Sequence, residues 1–78
     1  MKDIHTLEKL AVGQSAVIER LDVPTEERTR LLALGFIPGG RVCVLMESPW
    51  GDPVAYEVCG AVIALRRADA KGIVVSEV

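Results

Sequence analysis

The apolar positions of this chain change their spacing several times, and each change marks an element. Across residues 15–21, Ala16 and Ile18 alternate with Val17 and Glu19, the period of two expected of a strand with one buried face. Four more segments rich in Val, Ile, Ala and Leu (41–47, 54–59, 61–66 and 73–78) are set off by Gly, Pro, Ser or Asp and read as further strands. Between the first two strands, Pro24 and Thr25 lead into Glu26 and Glu27, a helix start with two carboxylates where the helix dipole favours negative charge. That helix is expected to end at Leu34: Gly35 suits the left-handed position past a helix end, Phe36 can fold back on Leu31, and Pro38 prevents resumption. Pro38-Gly39 fits the centre of a type II turn, with Pro setting the first angle and Gly accepting the positive one. Short helical turns are predicted over residues 6–10 and 67–71, a loop over 48–53, and tight turns at Gly13, Gly60 and Gly72.

Five short strands, with one helix between the first and second and a single helical turn before the last, predict a mainly β fold: a small five-stranded SH3-like barrel whose helix covers an open end. The chain has 78 residues and neither linker, repeat nor low-complexity tract, so residues 1–78 are read as one domain. A domain of this size buries only about 60% of the surface of its unfolded chain, which leaves little room for a deep substrate cavity.

Composition narrows the function by exclusion. Half the residues are apolar and 26% charged, in the globular range, and no uncharged run approaches the roughly 20 apolar residues of a membrane-spanning helix. The start, Met1 to His5, has no signal-peptide pattern, so a cytoplasmic location and no membrane insertion are expected. The net charge of -2 supplies no excess of cations for phosphates, so nucleic acid is not an expected partner. Cys43 and Cys59 lack the paired spacing of a zinc site and read as small hydrophobes within strands.

No enzyme is expected. The only histidine, His5, lies near the terminus, and neither cysteine has an evident catalytic partner in sequence. The stretch Gly35 to Gly40 follows a helix, lacks the Gly-Lys-Ser/Thr ending of a phosphate loop, and contains a proline that removes one amide donor. No His and carboxylate cluster shows ligand spacing, so neither metal site nor cofactor is expected. What remains is a surface for a partner. Trp50 sits between Pro49 and Gly51 in the predicted loop, either exposed as a binding anchor or folded back as a lid on the core. Arg28, Arg30, Arg66 and Arg67 are candidates for a local basic patch.

Three blocks resemble one family in order and spacing: Arg28-x-Arg30-Leu31-Leu32-x-Leu34-Gly35-Phe36-Ile37-Pro38-Gly39, then Ser48-Pro49-x-Gly51-Asp52-Pro53, then Ile63-Ala64-Leu65-Arg66-Arg67-x-x-Ala70. The pattern resembles the FeoA family over residues 7–75, nearly the whole chain. The resemblance implies an SH3-like barrel and an accessory or regulatory role in bacterial ferrous iron uptake, exercised on the cytosolic GTP-binding portion of the FeoB transporter. It implies no catalytic residues. Its blocks direct attention to Arg28, Leu31, Leu34, Phe36, Ile37, Pro49, Trp50, Asp52, Arg66 and Arg67 as partner-binding candidates, with Gly35, Pro38, Gly39 and Gly60 as structural turns. The competing reading is a metal-responsive SH3-like module that binds a transition metal through His5, Cys43 or Cys59.

Overall fold

A computed structural model describes residues 3–77. The strands are β1 (Ile4–Thr6), β2 (Ser15–Leu21), β3 (Arg41–Glu47), β4 (Val54–Val58), β5 (Ala61–Leu65) and β6 (Ile73–Glu77). A 3-10 turn (Leu7–Lys9) follows β1, helix α1 (Thr25–Leu34) joins β2 to β3, and a single-turn helix α2 (Arg67–Ala70) precedes β6. All pairings are antiparallel, in the order β1-β6-β2-β3-β4-β5. The sheet is therefore open, with β1 and β5 at its edges, and has six strands where the sequence predicts a five-stranded barrel. The additional strand, β1, pairs Ile4 with Ser76 and His5 with Val75, so His5 is not on a loose end.

Alternation builds the core where β4 turns Val54, Tyr56 and Val58 inward and β3 turns Val42 and Val44 inward. Irregularities between Ile18 and Arg20 and between Val44 and Met46 shift the register. The first of these lets β2 bury Leu21 as well as Ala16 and Ile18. Strand β6 lies between β1 and β2 and buries Ile73, Val74, Val75 and Ser76 in succession. Phe36 and Tyr56 meet edge to face in the core, ring centroids 6.4 Å apart at 82°.

Helix α1 contributes only Leu31 to the fully buried set, and ten residues make a marginal helix without tertiary support. No side chain caps its start at Pro24. Its end is better secured: the Gly35 N–H donates to the Leu32 carbonyl at 3.0 Å and the Phe36 N–H to the Leu31 carbonyl at 3.0 Å, the paired bonds of a Schellman end. Gly35 holds φ at 111°, and a Cβ there would lie an ordinary 3.5 Å from that of Cys59. Gly35→Ala is thus expected to lose about 1–2 kcal/mol from the backbone conformation alone, read as a lower urea midpoint with an unchanged slope. The Pro38-Gly39 turn closes as expected, with the Gly40 N–H donating to the Ile37 carbonyl at 2.8 Å. Gly72 does more than release the chain, since a Cβ there would lie 2.1 Å from a Val23 methyl.

Two strand ends differ from the sequence reading. Cys59 leaves the strand and adopts a φ of 50°, forming with Gly60 a two-residue turn between β4 and β5, so it is exposed rather than a buried hydrophobe. Arg66 falls outside β5 and forms the entry to α2. Position 78 lies outside the described residues, and β6 is described to Glu77.

Candidate functional site

The loop between β3 and β4 is short, irregular and held from behind. The Gly51 N–H donates to the Ser48 carbonyl at 2.8 Å, which makes a turn with Pro49 and Trp50 at its centre. The Ser48 N–H reaches back to the Pro53 carbonyl at 3.1 Å, across the cis Asp52-Pro53 bond. Arg67, at the start of α2, secures this turn. Its backbone N–H donates to Asp52 Oδ1 at 3.0 Å, and its guanidinium donates to the Gly51 carbonyl at 2.6 Å, the Glu8 carbonyl at 3.0 Å and Glu47 Oε1 at 2.9 Å. One arginine thereby ties together the 3-10 turn, the end of β3, the loop and α2. The planar fork of guanidinium donors suits this, where a lysine ammonium would not reach all three acceptors.

At the apex of this pinned turn, Trp50 is 91% exposed. It is no lid on the core. Beside it runs an apolar groove of about 270 Å³ whose lining includes Met46, Pro49, Pro53, Ala55 and Ala64. The sheet register explains the groove: Met46 pairs with Ala55 and Ala55 with Ala64, so a row of apolar side chains crosses β3, β4 and β5 on the outer face. Met46, at 62% exposure, stands over two alanines too small to fill the space next to it. Val62, at 64%, extends the apolar surface along β5.

Not all the residues proposed from sequence meet here. Leu31 and Phe36 are fully buried core residues and cannot touch a partner in the folded chain. Leu34 is half-buried and packs against the core. Arg28 is exposed but donates to the Leu21 carbonyl at 3.3 Å, and Arg30 faces Glu27 at 3.7 Å and Asp69 at 3.4 Å. With Arg67 engaged as well, the expected basic patch is largely matched by acceptors and acids within the domain; Arg66, at the α2 entry, is exposed like Arg28 and Arg30. Ile37 is 47% exposed, but it lies before β3, while Trp50 follows β3, so about 20 Å of strand separates the two. Pro49, Trp50 and Asp52 are the proposed residues that share the loop, with Arg67 behind them. Met46, Ala55 and Ala64 were missed. Their signal was a polar-face position filled by an apolar residue on three different strands, which becomes a row only once the register is known.

A model of the FeoA domain matches residues 5–77. The chain belongs to the FeoA domain family. It is also similar to a curated relative, the "Fe(2+) transport protein A/Fe(2+) transporter FeoB fusion protein" of Porphyromonas gingivalis. The two are 38% identical over 67 residues, which is 86% of this chain and 8% of that protein's length. Among solved structures, FeoA of Stenotrophomonas maltophilia, determined with zinc and described as an SH3 domain protein, is 33% identical. It superposes with a TM-score of 0.76 over 96% of this chain and 88% of that one. FeoA of Chlorobium tepidum is 31% identical, with a TM-score of 0.88 over 95% and 70% of the two chains. The mainly β, SH3-like architecture is that of the FeoA fold. Among the described residues, no helix is long and apolar enough to cross a membrane.

The FeoA core beneath the loop has a titration of its own. Burial pushes the Tyr56 phenol up from 10.0 to about 12; Arg67 opposes the shift, while Glu8, Asp52 and Glu47 add to it. The folded domain therefore keeps a proton that the unfolded chain, with a phenol pKa near 10, releases. The Tyr56 contribution should be fully present below pH 10 and fall by about 2–3 kcal/mol as the pH rises from 10 to 12. Comparing urea unfolding of the wild type and Tyr56→Phe across that range checks it: the stability difference between them should change with pH only above 10.

Proposed function

We propose that this FeoA domain is a non-enzymatic, cytoplasmic accessory component of bacterial ferrous iron uptake, and that it binds the cytosolic GTP-binding portion of the FeoB transporter with its Trp50 surface. The observation that carries this reading is a tryptophan 91% exposed on a loop that Arg67 holds by two hydrogen bonds, with two more anchoring that arginine to Glu8 and Glu47, beside an apolar groove. A large aromatic exposed to water gains most when a partner covers it, and a pinned loop loses little entropy on binding. The Porphyromonas gingivalis relative supports the choice of partner, because it is named as a fusion of transport protein A with FeoB. Covalent connection keeps two modules at high effective concentration, which favours modules that work in contact.

The reactive groups support binding rather than catalysis. His5 hydrogen-bonds Glu77, the Cys43 thiol donates to the Val44 carbonyl, and the Cys59 thiol to the Gly35 carbonyl, so no thiol is held by an imidazole base. Isothermal titration of the domain into the soluble GTP-binding portion of FeoB, with GTP and with GDP, tests the reading. Saturable binding in at least one nucleotide state is expected, and its absence in both overturns the proposal.

A further inference from the structure

Away from the Trp50 surface, the pairing of the first and last strands assembles a group that their separation in sequence conceals. Strand β1 runs antiparallel to β6 with His5 opposite Val75, and the Glu77 N–H donates to the Asp3 carbonyl at 3.1 Å. This register puts Asp3, His5 and Glu77 on one face. One ligand atom from each, an imidazole nitrogen and two carboxylate oxygens, lies within 4.8 Å of the others. We infer that Asp3, His5 and Glu77 form a binding site for a divalent first-row transition-metal ion that clamps β1 to β6.

Geometry and donor chemistry both favour this. His5 Nε2 and Glu77 Oε2 are 3.0 Å apart. Two ligands each about 2.1 Å from a metal and at right angles to one another are separated by roughly 3 Å, so this pair already has the spacing of adjacent coordination positions. The other Glu77 oxygen accepts a hydrogen bond from the Gln14 side-chain amide at 3.0 Å, which fixes the carboxylate orientation from outside the ligand set, as supporting partners do in metal sites. An imidazole among carboxylates selects against magnesium and calcium and suits manganese, ferrous iron or zinc. Asp3 is exposed and both partners are half-buried, which gives an ion direct access and leaves room for water at its remaining positions. Gln14 precedes β2 and Glu77 pairs with Ala16, whereas α1 begins beyond Leu21, about 20 Å further along β2.

The test uses the domain alone, with Mn²⁺ as a paramagnetic probe and Zn²⁺ as its diamagnetic counterpart. Substoichiometric Mn²⁺ should broaden the amide signals of residues 3–6 and 76–77 first and leave those of α1, such as Thr29, sharp. Zn²⁺ should shift the same signals saturably. His5→Ala and, on an exposed position that cannot disturb folding, Asp3→Asn should each weaken Zn²⁺ binding at least tenfold while the remaining amide spectrum is retained. Broadening spread over the other surface carboxylates, or an affinity unchanged in both variants, means adventitious ion association only and overturns the site; no binding at millimolar Zn²⁺ overturns it equally. None of these readouts involves the transporter, so the outcome stands apart from the FeoB reading.

Discussion

Arg67→Ala is expected to destabilise the domain by about 2–4 kcal/mol, a fall in thermal midpoint of roughly 10–25 °C for a chain of this length. The guanidinium donates to two backbone carbonyls, of Gly51 and Glu8, and to the Glu47 carboxylate. Hydrogen bonds from a charged donor contribute about 1.5–3 kcal/mol each, but the three share one side chain that is partly exposed, so their losses do not add. The carbonyls of Gly51 and Glu8 lose these donors, and the 3-10 turn, the β3 end and the loop lose their common tie. Arg67→Lys should recover little, because one ammonium cannot span acceptors on three segments. Urea unfolding of the three proteins checks this. A loss below about 1 kcal/mol for the alanine variant would mean that water replaces the guanidinium without cost.

The second large effect is on binding rather than stability. Trp50→Ala removes a side chain that is 91% exposed and makes almost no contact with its own domain, so the unfolding midpoint should stay within the ordinary scatter of surface substitutions, about 0.5 kcal/mol. Affinity for the GTP-binding portion of FeoB should fall at least 30-fold, the cost of a hot spot contributing 2 kcal/mol or more. Trp50→Phe should lie between the two, since it keeps an aromatic face but gives up area and the indole N–H. The two variants separate the roles of neighbouring residues: Arg67 governs whether the loop is held, and Trp50 governs what the held loop presents. A wild-type affinity for Trp50→Ala would place the contact elsewhere on the domain.

Much of the fold was legible because its signals are local. The end of α1 depends on Gly35, Phe36 and Pro38 within a few positions of each other, and the bounds of β2, α1 and β3 follow from such punctuation. What was not legible depends on pairing across the chain. Strand β1 has three residues and no pattern of its own; it exists because Ile4, His5 and Thr6 find Ser76, Val75 and Val74. Cys59 looked like the last residue of an apolar strand, but the type I′ turn formed here needs positive φ at both central positions, and that requirement overrode its β-like composition. Arg67 read as one of four surface cations, because nothing in the sequence says that Gly51, Glu8 and Glu47 converge on it. Leu31 and Phe36 stood in the most recognisable block for a structural reason, since they form the core beneath the helix end. The site itself was half visible: Trp50 stood out by residue type, whereas the row of Met46, Ala55 and Ala64 appears only when three strands are set in register.

The most direct measurement is an amide chemical-shift map of the isotope-labelled domain, recorded while the unlabelled GTP-binding portion of FeoB is added to saturation. The perturbed signals should centre on the Trp50 indole and on the amides of residues 46–48, 50, 55 and 64, with α1 and Gly39 little affected. Perturbations centred instead on Arg28, Leu32 and Ile37, with Trp50 unmoved, would contradict it and assign the partner to the helix face.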